Sequence, residues 1–310
     1  MSDFVDAELL EQAQRAAAEG RYREAAVMYE EGASRLIGRM ELPTAASVLV
    51  AAGRLYALAG DLAQAEALLE QVEVLARENG RSAEWARARA ELADQRGDSA
   101  LRRRRWSLAR DEAAGVDKLH ALARLADEAR ERDAVTEAAA HLATAVEYAE
   151  RLGEKRLLAA TLLELATVRT VAGERRSAEA LLNRAEASTD DGGLRAKITA
   201  QRGVIALAAG RLADALTLAE QARAQAVSVS DVHAYLASAQ LIVLIHQNQG
   251  REIEALDTLL RTRESLRGLL GDSGAAMVQP ALDTFAERLG PDAYGALHAQ
   301  WVARQTRQSW

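Results

Sequence analysis

The sequence predicts an all-α protein assembled from repeated helical hairpins, and three observations carry that prediction. Aromatic residues make up only 4% of a chain that is 49% apolar, so its core must come chiefly from Ala, Leu and Val, and Ala and Leu are among the strongest helix formers. Only three prolines occur in 310 residues, Pro43, Pro280 and Pro291, which leaves nearly the whole chain free to be helical. A short pattern also keeps returning: GRYREA at 20–25, GDLAQA at 60–65, GDSALR at 97–102, DAVTEA at 133–138, GERRSA at 173–178, GRLADA at 210–215 and GREIEA at 250–255. The ends of successive copies lie 40, 37, 36, 40, 37 and 40 residues apart, and a fixed period of this length marks a repeat architecture.

Each element follows from the residues around the hexapeptide. Twelve residues before its end stand Ala13, Gly53, Ala90, Ala126, Ala166, Gly203 and Val243, all small but the last. Four residues after it come Tyr29, Leu69, Trp106, Leu142, Leu182, Ala219 and Leu259, mostly bulky. Seven after it come Gly32, Val72, Ala109, Ala145, Ala185, Ala222 and Thr262, mostly small. Spacings of three, four and seven place these residues on one helical face. Each unit therefore reads as a helix A, a tight turn in which Gly supplies the left-handed helix end, and a helix B. One such hairpin cannot bury its apolar face alone, and stacked neighbours complete the core. Downstream, Met277, Val278, Leu282, Phe285 and Leu289 predict an amphipathic helix over 275–289, and Pro291 suits the first turn of a last helix carrying Tyr294, Leu297 and Trp301.

This arrangement resembles the tetratricopeptide repeat family, whose signature is matched by Gly20, Tyr22, Ala25 and Tyr29 in the first unit and by Gly53, Tyr56, Gly60, Ala65 and Leu69 in the second. The family's usual period is about 34 residues with a closing proline; here the period is longer and that proline is absent. The long form, with turns such as RLGEKR at 151–156, is similar to the helical sensor arms of bacterial signalling ATPases and transcriptional regulators, as is the terminal string RLGPDAYGALHAQW at 288–301. The resemblance implies a right-handed α-solenoid of about seven repeats over residues 1–270, with capping helices over 271–310 and an irregular repeat or bend at 97–116. The nucleotide-binding half of such ATPases is absent, since no G-x-x-x-x-G-K-[ST] occurs.

Composition and motifs argue against an enzyme. There is no cysteine, so disulfides, thiolate metal sites and cysteine nucleophiles are excluded. The five histidines, His120, His141, His233, His246 and His298, include no pair at helical metal-ligand spacing, and no G-x-S-x-G elbow is present. No cofactor is expected. The net charge of −7 makes nucleic acid an improbable partner. An acidic amino terminus and the lack of a long apolar run point to a cytoplasmic chain with no membrane partner.

The expected function is that of a non-enzymatic scaffold or adaptor for a protein or peptide, the alternative being a regulatory sensor that answers a peptide or small ligand and acts on a signalling or transcription partner. Self-association through the ends of the array is also open. In the family, the inner faces of successive A helices form a concave groove; carried over to this chain, that implies a binding surface of Arg54, Arg87, Glu91, Asp94, His120, Arg124, Asp127, Arg130, Thr167, Gln201, Gln240 and Gln247, flanked by Gln14 and Thr170. Leu163, Val204, Leu207 and Leu244 give its later part an apolar character. The lysines and asparagines of the chaperone-tail clamp are not matched.

The run ALRRRRW at 100–106 stands out. The alignment puts Arg102 where six other copies have Ala, and Trp106 on the bulky packing position. Four consecutive arginines fan around a helix in steps of about 100° and form no single stripe. Cations at a helix amino terminus oppose its dipole, a cost that is tolerable if Glu91, Asp94 or Asp98 lie close or if a partner supplies the acids, and Arg102 and Arg103 are within reach of a cation–π contact with Trp106. Arg103, Arg104 and Arg105 form a candidate patch for an acidic partner.

Overall fold

A computed structural model of the chain describes residues 2–97 and 99–308. Eighteen helical segments and no strand occur among them. The chain divides into two compact units, residues 1–152 and 153–310. In the first, four hairpins follow one another: α1 (Ser2–Ala18) with α2 (Tyr22–Gly38), α3 (Leu42–Leu58) with α4 (Leu62–Gln71) and α5 (Glu73–Glu78), α6 (Ser82–Arg96) with α7 (Ser99–Glu112), and α8 (Gly115–Glu131) with α9 (Val135–Leu152). The second holds α10 (Lys155–Val171) with α11 (Arg175–Ala187), α12 (Gly192–Ala208) with α13 (Leu212–Ser228), and α14 (Val232–Asn248) with α15 (Glu252–Leu270). It closes with α16 (Asp272–Ala276), α17 (Gln279–Leu289) and α18 (Pro291–Gln308).

The hexapeptides sit at the hairpin turns. Their first residues, Gly20, Gly60, Gly97, Asp133, Gly173, Gly210 and Gly250, all have positive φ. At the six turns where the following residue is described, its backbone N–H reaches back to a carbonyl five residues earlier, as in Arg21 to Ala16, Asp61 to Tyr56 and Arg211 to Ala206, each at 2.9 Å. The N–H of the left-handed residue bonds a carbonyl three residues back, as from Gly210 to Leu207 at 2.9 Å. This pair of bonds satisfies carbonyls that the helix end leaves without partners. The same closure joins successive hairpins at Met40 and Ser230, two non-glycine residues with φ of 61° and 55°.

Packing follows the repeat register. The small A-helix positions from Ala13 to Val243 are all buried, as are the positions from Gly32 to Thr262 seven residues after each hexapeptide. At two of the A-helix positions only glycine fits: an added Cβ would lie 2.8 Å from Leu69 Cγ at Gly53 and 2.9 Å from Leu241 Cδ2 at Gly203. The A helices also pack in series, α3 on α6 and α6 on α8 in the first unit, and α10 on α12 and α12 on α14 in the second. Arg102 keeps the register of its hairpin by turning its guanidinium to Glu131 at the end of α8, 2.5 Å away, while Ala90, Trp106 and Ala109 remain buried.

The segment expected as one helix over 275–289 is broken: α16 ends at Ala276, and α17 starts at Gln279 with Pro280 in its first turn. The break leaves Met277 partly exposed, while Val278, Leu282 and Phe285 pack with Leu256, Leu259 and Leu260. Trp301 of α18 packs against the same cluster and donates from Nε1 to Asp257 at 2.9 Å. No described helix is long and apolar enough to cross a membrane.

Candidate functional site

In the first unit the charged residues of the A helices are joined to one another. Arg54 of α3 grips Glu91 of α6 with two hydrogen bonds of 2.7 Å. Arg87 bonds the same carboxylate at 2.9 Å and also pairs with Asp117 of α8. One turn on, Asp94 accepts from Arg124 at 2.7 Å and from the Trp106 indole N–H at 2.9 Å. Arg124 lies 3.8 Å from Asp127, which also pairs with Arg130. Spacings of three and four along α6 and α8 put these groups in line, so the ladder ties α3 to α6 and α6 to α8. Burial alone would raise the Glu91 carboxyl; hydrogen bonds and charges from Arg54 and Arg87 outweigh it and hold the group below its ordinary value.

His120 lies edge-on to Trp106, with ring centroids 5.1 Å apart, and its Nδ1 is buried without a hydrogen-bond partner. Burial, and then the Arg87 charge, hold it below the usual histidine range and favour the neutral ring. The cation over Trp106 is Arg124, 5.8 Å from the ring centroid, in place of the expected Arg102 or Arg103. The indole turns inward toward α6 and α8, where the A-helix arginine meets it. Of the acids named beside the arginine run, Glu91 is held by Arg54 and Arg87, whereas Asp94 does meet the run, at the Trp106 indole, and pairs with Arg124; Asp98 lies outside the described residues.

The A helices of the second unit carry a different surface. Thr167 and Thr170 of α10 return their hydroxyls to the Leu163 and Ala166 carbonyls, at 3.0 and 2.8 Å. Gln201 of α12 donates to the Thr170 hydroxyl at 3.1 Å and bridges the two helices. Val204 and Leu207 of α12 are partly buried. On α14, Gln240, Leu244 and Gln247 recur at helical spacing, with Leu244 47% exposed. The result is a face of amides, hydroxyls and aliphatic carbon, with an exposed leucine amid groups that both donate and accept hydrogen bonds.

A cavity of about 490 Å³ lies elsewhere in this unit, where the end of α13, the start of α14 and the end of α15 meet. Val227, Val232, Tyr235, Leu266, Leu269 and Leu270 line it, with Ser230, Asp231 and Ser265 as its polar groups. Asp231 caps α14 by accepting from the Ala234 N–H at 2.9 Å. Sequence reading missed this cavity, because it forms from three helix ends and no periodic pattern marks it. Among the described residues, no cluster of three or more His, Asp or Glu side chains is placed to hold a metal ion.

No protein-family model matches the chain, and no curated protein matches it in sequence. Solved structures do match in fold. BtubC (BKLC) from P. vanneervenii aligns with a TM-score of 0.58 at 18% identity, over 68% of this chain and 92% of that one. A Rap protein complexed with competence and sporulation factor aligns at 0.56 and 12% identity, over 97% and 87%. The apo form of the quorum sensor NprR from B. thuringiensis aligns at 0.51 and 14% identity, over 92% and 88%. The likeness is one of fold: helical hairpins stacked in series.

Proposed function

We propose that the chain is a non-enzymatic binding protein of the tetratricopeptide-like kind, which takes a peptide or extended segment of a protein partner on the A-helix face of its second unit. The observation that carries this reading is the contrast between the two units. The charged A-helix residues of the first, Arg54, Arg87, Glu91, Asp94, Arg124, Asp127 and Arg130, are engaged with one another and act as structural ties. In the second, Gln240 and Gln247 flank the exposed Leu244, while Thr167 and Gln201 stand on the neighbouring helices. A peptide backbone needs both donors and acceptors, and glutamine amides supply both; an exposed aliphatic side chain between them gives a contact for an apolar residue. Two of the fold neighbours support the reading, one solved with competence and sporulation factor and the other named a quorum sensor.

A selection from a random peptide library on the immobilised protein tests it. Uncharged peptides with apolar anchors should be enriched, and Leu244→Asp should weaken them about tenfold by burying a charge against carbon. Equal weakening by Glu220→Lys on α13, or enrichment indifferent to Leu244→Asp, would count against the site. The cavity beside Tyr235 favours a second reading, a sensor for a small apolar ligand, because its volume lies within the about 300–1,000 Å³ typical of such sites. In that case Leu270→Trp would fill the cavity and abolish ligand binding while leaving peptide selection on Leu244 intact.

A further inference from the structure

The arginine run remains outside both readings. In the first unit the described arginines are held by carboxylates or laid on aromatic rings almost throughout; even Arg102 has Glu131. Arg103, Arg104 and Arg105 have no carboxylate within ion-pairing distance among the described residues. They stand in the second turn of α7, next to one another along the chain. Burial, then the neighbouring Arg89 and Arg104 charges, pull the Arg105 guanidinium below its ordinary value. Glu66 and Glu73 act on Arg105, and Arg103 on Glu137, only through longer-range charge, so these three guanidiniums stand ready to form closer pairs than the chain gives them.

They also line a cavity. Arg104 and Arg105, with Ser107, Leu108 and Asp111 of α7, face Glu73 and Arg77 of α5 across a space of about 470 Å³, with Trp85 of α6 also lining it. The Trp85 indole donates to the Leu69 carbonyl at 2.6 Å, which fixes the ring, and Arg77 lies over it at 5.1 Å. Arg89, its side chain only 4% exposed, lies 6.0 Å from the same ring. Its Nη1 makes no hydrogen bond and has only a 3.4 Å ion pair with Glu70. The two acids of the lining already have partners, Glu73 with Arg77 at 3.2 Å and Asp111 with Arg110 at 2.8 Å.

We propose that this B-helix surface of the first unit is a docking site for an acidic peptide segment of a protein partner, with Arg104 and Arg105 as the principal contacts and Arg77 and Trp85 as the wall behind them. The surplus of guanidinium groups selects carboxylates, which arginine binds in a two-point fork. The acceptors Glu73, Asp111 and Ser107 in the same lining select a peptide over a bare anion. A peptide brings a row of backbone N–H donors for them along with its carboxylates, whereas a phosphodiester linkage brings acceptors alone and a free phosphate ion only its own hydroxyls. The site is independent of the A-helix face, so either can fail without the other.

The test is fluorescence anisotropy of a labelled hexaglutamate peptide titrated with the full chain. Binding should tighten as salt falls and weaken about tenfold in Arg104→Gln/Arg105→Gln. Arg104→Lys/Arg105→Lys keeps the charge and loses the fork, and should retain an intermediate affinity. Arg176→Gln/Arg211→Gln, which removes the same charge from exposed positions in the second unit, should leave the affinity unchanged. Equal weakening by the two glutamine pairs, or no binding by the wild-type chain, overturns the proposal. Displacement of the peptide by inorganic phosphate at matched charge concentration overturns the assignment to a peptide. Unchanged helical circular dichroism in each variant guards against loss of fold, and the lysine pair keeps the test valid if the glutamine pair unfolds.

Discussion

Truncating Glu91 to Ala removes the carboxylate on which two arginines converge. Arg54 meets it with two bonds of 2.7 Å and Arg87 with one of 2.9 Å. Two unit charges about 4 Å apart attract by roughly 4 kcal/mol at an effective dielectric near 20. The Arg54 and Glu91 side chains are 40% and 29% exposed, so desolvation, side-chain ordering and solvent screening reduce the net Arg54–Glu91 coupling to about 1–2 kcal/mol. Glu91→Ala also strands the Arg87 bond, and the single substitution should cost about 2 kcal/mol. In urea this is a midpoint shift of about 1 M, followed by circular dichroism. The cycle with Arg54→Ala isolates the pair. A coupling below about 0.3 kcal/mol, within the range of independent sites, would refute the claim that these charges act as structural ties and would return them to the list of free binding groups. The pH dependence has a defined sign. The folded Glu91 carboxyl is held below its ordinary value of 4.5, so its contribution is complete above that value. It is lost as pH falls from there through the folded value, and Glu91→Gln should flatten that part of the curve.

Three further outcomes follow from the fold. Met40, 77% exposed and at positive φ, should gain about 1 kcal/mol on mutation to Gly, whereas Gly210→Ala, with nothing within 4 Å of the added Cβ, should lose a similar amount; thermal melts of the two should move in opposite directions. Gly53→Ala should destabilise by about 1–3 kcal/mol despite the better helix propensity of Ala, because the added carbon meets Leu69 at 2.8 Å; an unchanged or raised melting temperature would show that α3 and α4 yield easily. His120 and His141 are both depressed from 6.5 chiefly by burial, so stability should decline as pH falls below that value, and His120→Gln/His141→Gln should lessen the decline in chemical denaturation at pH 5–7.

The repeat register was legible because it is local and iterated: a left-handed residue, a small residue on each helix and a bulky residue one turn on must recur wherever a hairpin closes. Asp133 at φ 59° shows the constraint holding even where the glycine is missing. The break at 277–278 was not legible, because the apolar spacing there continues across it. Nor was the pairing of charges. Arg102 finds Glu131, 29 residues away, and Trp106 takes Arg124 from the next A helix. Such partners are chosen by packing between hairpins, which helical spacing within one hairpin does not encode. The candidate A-helix residues share one register in the sequence, but the structure divides them into interlocked charges in the first unit and an amide-rich face in the second.

A photo-crosslinkable residue placed in a library-selected peptide, with its adducts mapped by mass spectrometry, locates the bound segment on the second unit. Adducts on α12 and α14, around Gln201, Leu244 and Gln247, are the predicted result. Adducts confined to α13 and α15, or spread over both faces of the unit, would contradict it.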